Sequence, residues 1–173
     1  VTCRLGDGQE MRLFCKYEAG LDTSAHGHRG GVAHEAQVYR RVLQPLAVSA
    51  PALIGVYFDA TSDRPWLILE YLEQATRFSR SPEPDAALMA AAWIGRFHAA
   101  SQRLARTEAL SFLKSYDEAY YLGWAERVRR YHGHLQRSMP WLEQLCARFG
   151  EAAAVLTSVL PTVIHGEYYP ENV

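Results

Sequence analysis

"ALIGVYFDATSDRPWLILEYL", residues 52–72, marks where the chain changes texture. Two apolar runs rich in Ile, Val, Leu, Tyr and Phe flank a polar turn at 61–64, the pattern of two strands joined by a short connection. Towards the N-terminus, "VTCRL" and "QEMRLFCKY" flank "GDG", where Gly6, Asp7 and Gly8 supply the positive φ that a hairpin turn needs. "EAGLDTSAHGHRGG" (18–31) is Gly-rich and polar, hence a loop. In "VAHEAQVYRRVLQPL" (32–46), Tyr39, Val42, Leu43 and Leu46 fall at helical spacing and form one apolar stripe. Towards the C-terminus the pattern is helical only. Three long amphipathic stretches cover 85–104, 115–135 and 139–160, with no strand signal until "TVIHG" at 162–166.

Strands, one helix, strands and then helices predict an α+β fold. The expected division is a β-rich lobe at 1–69, a hinge at 70–75 and a helical lobe at 76–173. A cleft between lobes is the usual place for a ligand.

Composition narrows the function classes. The 173 residues are 49% hydrophobic and 21% charged, with a formal net charge of -1. Such a chain has no cationic excess to release counterions from nucleic acid, so no nucleic-acid partner is expected. The densest basic stretch, "RVRRYHGHLQR" (127–137), reads as a solvated helix face. No apolar run reaches membrane-spanning length, and no secretory signal is visible, so no membrane association is expected. Three unevenly spaced cysteines (Cys3, Cys15 and Cys146) argue against a disulfide framework and for a reducing, cytoplasmic setting.

Two charged residues break the pattern of their own elements. Lys16 stands in "LFCKY", a strand otherwise apolar, so its ammonium either snorkels to solvent or meets an anion. Glu35 lies four residues before Tyr39 and seven before Val42, on the apolar face of its helix. It needs a cation there, and Lys16 is the nearest in chain order; otherwise it is an exposed first-turn acid favoured by the helix dipole. A strand lysine paired with an inward helix glutamate holds nucleotide phosphates in protein kinases.

"HGEYYPENV" (165–173) bears on that choice. His-Gly-acid followed five residues later by Asn has the spacing of the kinase catalytic loop. Phosphoryl transfer needs a carboxylate for the attacking hydroxyl and oxygen ligands for Mg²⁺, and a short loop keeps the two together. By average residue usage such a string arises by chance in roughly one chain in a thousand of this length.

With this motif the chain resembles the aminoglycoside phosphotransferase and choline kinase-like family. "HGEYYPEN" is similar to its "HGDLHPGN"-type loop, "LFCKY" to its lysine strand and "HEAQVYRRVL" to its glutamate helix. "WLILEYL" looks like the strand entering the hinge, and "AAWIGRFHAA" resembles a "LARLHA" helix, with His98 at its histidine. The resemblance implies a protein-kinase-like bilobal fold, ATP and Mg²⁺ as cofactors, and a small-molecule hydroxyl as phosphate acceptor. It also implies roles. Lys16 contacts the α- and β-phosphates and Glu35 orients it. Glu70 and Leu72 offer backbone groups to adenine, Glu167 is the catalytic carboxylate, and Asn172 is a Mg²⁺ ligand.

The chain departs from the family pattern in three places. Glu167 stands where the family usually has Asp. The phosphate-covering turn precedes the first strand read here, so "GDG" is a plain turn. The second metal-binding Asp follows the loop. The resemblance therefore implies a segment truncated at both ends, expected not to transfer phosphate alone. A degenerate module of the same fold, holding nucleotide or a partner without catalysis, is the alternative that Glu167 raises. A helical interaction protein with a chance motif is a third class. The histidine pairs at 26–28 and 132–134 lack the Cys or carboxylate set of a zinc site. Tyr116, Tyr120, Tyr121, Trp124 and Trp141 either line an acceptor pocket or fill a core.

Overall fold

A computed structural model describes residues 1–17, 30–59, 61, 64–131, 133 and 137–172. The loop expected at 18–31, with His26 and His28, lies almost wholly outside them, as do His132 and His134.

The fold is α+β, built on a small antiparallel sheet. Strands β1 (Thr2–Arg4), β2 (Glu10–Tyr17), β3 (Leu53–Phe58) and β4 (Pro65–Glu70) lie in the order β1-β2-β4-β3. The first connection closes through Gly8 N–H to the Leu5 carbonyl at 3.0 Å. Of the three turn residues, only Gly8 has positive φ, at 85°. Asp7 acts differently from expectation: its carboxylate accepts the Gln9 amide at 3.0 Å, a side-chain turn that leaves its own φ ordinary.

Helix α1 (Val32–Val38) crosses one face of the sheet. Val32, Ala36 and Tyr39 pack on Leu67 and Leu69, with Leu43, Leu53 and Val56 at the edge. Leu67 is fully buried, worth about 2 kcal/mol against exposure. Gly30, before α1, has φ 108°, and a Cβ there would meet His34 Cβ at 2.4 Å. The helix expected across 32–46 forms, but not as one regular element. A π-helical turn, Tyr39–Leu43, separates α1 from the short α2 (Gln44–Leu46). Pro45 accounts for this, because its ring lacks an N–H and crowds the carbonyl four residues back, which a wider turn relieves. Ala47, left-handed at φ 48°, ends the run.

Helices α3 (Ala86–Ser101), α4 (Glu118–Tyr131) and α5 (Trp141–Thr157) follow. The strand signal at 162–166 is not realised. No strand among the described residues pairs with it; instead the Ser101 hydroxyl accepts the Val163 amide at 3.3 Å. By packing, the chain divides into Val1–Phe112 with Thr162–Val173, and Leu113–Pro161. The first unit thus gathers the sheet, α1, α3 and the terminal loop. The second is the α4–α5 hairpin, in which Ala125, Cys146 and Ala153 are buried. Of the aromatics noted there, Trp141 is 55% exposed and Trp124 39%, whereas Tyr116, Tyr120 and Tyr121 are half-buried. Among the described residues no helix is long and apolar enough to cross a membrane. All three cysteines are free.

Candidate functional site

Strand register aims Lys16. Residues opposite each other in an antiparallel pair project to the same face, and Lys16 lies opposite the buried Leu67. Its stem therefore runs over the face that α1 covers. Glu35 meets it from the helix: Lys16 Nζ lies 2.8 Å from Oε1 and 3.1 Å from Oε2. The structure brings together the two charged residues that break the pattern of their own elements. Both readings of each residue hold in part, since the side chains are 41% and 33% exposed. The pair is open to solvent and to a ligand.

Two neighbours flank the pair. Tyr39, one helical turn beyond Glu35, has its hydroxyl pushed up to about 12, by burial first and by the Glu35 charge second. Phe14 lies two residues before Lys16 and opposite Leu69, on the same face, yet is 46% exposed. Sequence reasoning missed Phe14, although the strand period from Lys16 was its signal.

At the end of β4, Glu70 is committed to the sheet edge. Its amide donates to the Ala52 carbonyl at 2.9 Å, and its carboxylate accepts the Ala52 amide at 3.0 Å. Of its backbone groups only the carbonyl can serve a ligand. Leu72 is 45% exposed, and its own carbonyl accepts the Ala75 amide at 3.4 Å. Arg12 reaches over from β2, bonding Glu73 at 2.6 Å and stacking on Tyr71 at 4.0 Å.

The terminal loop carries the other two residues singled out in the motif, Glu167 and Asn172. Gly166, at φ 83°, takes a left-handed conformation that L side chains rarely adopt, which explains glycine before the acid. Pro170 then presets a turn closed by Asn172 N–H to the Tyr169 carbonyl at 2.8 Å. That turn brings Asn172 back, and its Nδ2 donates to the Glu167 carbonyl at 3.2 Å. The proline turn thus brings the Asn172 side chain to the Glu167 backbone carbonyl.

Helix α3 holds the loop in place. Ala90, Trp93, Phe97 and Ser101 share one face at helical spacing. The Tyr168 hydroxyl donates to the Ala90 carbonyl at 2.7 Å, and burial raises its pKa. Its ring stacks on Trp93 and meets His165 edge-on. Ser101, fully buried, lies 2.9 Å from the Thr162 hydroxyl, which donates to the His98 carbonyl at 3.0 Å. His98 contributes its backbone here. A third anchor is Ser79 N–H to the Pro170 carbonyl at 3.1 Å. Tyr168 and Ser101 were not foreseen; a helical face with a small polar residue beside aromatics was their only trace.

Among the described residues no cluster of three His, Cys, Asp or Glu side chains could hold a metal unaided. The Asn172 amide, whose Nδ2 is bonded inside the loop, carries one oxygen of the kind that Mg²⁺ takes together with phosphate and water. One or two protein oxygens completed by phosphates and water are the usual Mg²⁺ arrangement.

Comparison with protein-family models, curated proteins and solved structures returns no match.

Proposed function

We propose that the protein is an ATP-dependent phosphotransferase that moves the γ-phosphate to a hydroxyl of a small molecule, on a protein-kinase-like fold resembling the aminoglycoside phosphotransferases. The observation that carries the proposal is the Lys16–Glu35 pair, bidentate at 2.8 and 3.1 Å and half open on the inner face of the sheet. Glu35 holds the ammonium, and Lys16 meets the α- and β-phosphates. Phe14 offers the base an apolar surface, and Glu70 and Leu72 offer backbone groups to its edge. Asn172 would hold Mg²⁺, which when bound would neutralise charge on the phosphates.

In the transfer, the acceptor oxygen bonds to the γ-phosphorus as the bond to the β–γ bridging oxygen breaks. The Glu167 carboxylate takes the hydroxyl proton. Its longer side chain, about 1.5 Å more reach than Asp, favours one further reading, a module that binds nucleotide without turnover. Substitution in the full-length protein separates them. An enzyme loses turnover with Glu167→Ala and keeps it with Glu167→Asp, whereas turnover indifferent to both changes removes Glu167 from the chemistry.

A further inference from the structure

The two halves of the proposed site come from separate backbone segments, and one side chain touches the supports of both. Trp93 donates its indole Nε1–H to the Ser49 carbonyl at 2.7 Å. Ser49 follows α2, the end of the helical run that carries Glu35, just after the left-handed Ala47. The same indole stacks on Tyr168 at 5.8 Å and 8°, and Tyr168 is covalently next to Glu167. Phe97 backs the indole at 5.4 Å and 6°.

We propose that Trp93 is a positioning residue that fixes the loop bearing Glu167 and Asn172 relative to the helix bearing Glu35. The inference rests on the Mg²⁺–ATP reading above. A groove of about 230 Å³, lined by Leu46, Ser49, Trp93 and Arg96, opens beside the indole. The hydrogen bond to Ser49 and the stack on Tyr168 set its place. The two halves also hold a triphosphate differently. Lys16 attracts phosphate with or without metal, whereas Asn172 acts through the metal. A loosened loop therefore costs the metal-dependent part of the affinity and spares the rest.

Trp93→Phe keeps the aromatic stack and removes the Nε1 donor. Tyr168→Phe keeps the ring and removes the bond to Ala90. ATP affinity is measured for both and for the wild type, with Mg²⁺ and with EDTA, beside the melting temperature without ligand. The expected result is a Mg²⁺-dependent gain reduced about three- to tenfold in both variants, near the low end for outer partners of metal ligands. Metal-free affinity then stays within about twofold. An unchanged gain, or both affinities falling in parallel with the melting temperature, overturns the proposal and leaves Trp93 a packing residue. A wild type without any Mg²⁺ gain removes the kinase reading and this inference together; a wild-type gain with unaffected variants removes only the inference.

Discussion

Lys16 and Glu35 sit on regular elements, whereas Glu167 and Asn172 sit on a segment with no regular structure. The first pair is aimed by strand and helix periods and needs little else. The second is aimed by a glycine at positive φ, a proline turn and long-range bonds to α3 and Ser79. Changing a member of the first pair alters a charge where the backbone is already fixed. Changing an anchor of the second lets the backbone itself move. Site precision thus has two sources here, and they fail differently.

The largest expected effect tests the loop. Glu167→Ala in the full-length protein should lower turnover by about 10²–10⁴, the usual contribution of a positioned acid–base group. Leu67→Ala tests the platform beneath Lys16. It should destabilise the fold by about 2–5 kcal/mol in denaturant titration, because the site is fully buried and contacts α1. Ser101→Ala should cost about 1–3 kcal/mol, since the Val163 amide loses its acceptor. Nucleotide affinity should fall with it, in contrast to a core truncation far from the loop.

Alkaline pH probes the helix side. The Tyr39 hydroxyl is held at about 12 rather than 10.0, so its contribution to stability is complete below pH 10. Between pH 10 and 12 the unfolded chain gives up this proton first, and stability should fall as pH rises. Tyr39→Phe should remove that part of the decline in urea midpoints measured across the window. The smallest effect belongs to Glu35→Gln. Because the ion pair is half exposed, stability should change by less than about 1 kcal/mol. Nucleotide affinity should drop well beyond that, and a stability loss much larger than the affinity loss would make the pair structural.

The strands, α1 and its core stripe were legible because their periods are short-range and unambiguous. Lys16 and Glu35 stood out as charges on apolar faces. The π turn was not legible from the stripe, since the apolar spacing survives while Pro45 widens the backbone. The strand signal at 162–166 misled because β-branched residues report a preference for extended backbone, not the presence of a partner strand; here a serine hydroxyl takes that place. The loop's residue types could be read from the sequence, but its anchors could not. Tyr168 and Ser101 act across 78 and 62 residues of chain respectively, on Ala90 and Val163, and no local pattern encodes such a pairing.

The central claim is that Lys16 and the terminal loop serve one magnesium-bound triphosphate. Thermal unfolding with ATP and Mg²⁺ tests it most directly. Ligand at a hundred times its dissociation constant should add about 2.7 kcal/mol to the wild type. Lys16→Met should lose most of that gain, and Asn172→Ala should lose only the part that requires Mg²⁺. Melting that ignores ATP, or a gain equal in wild type and both variants, would contradict the account.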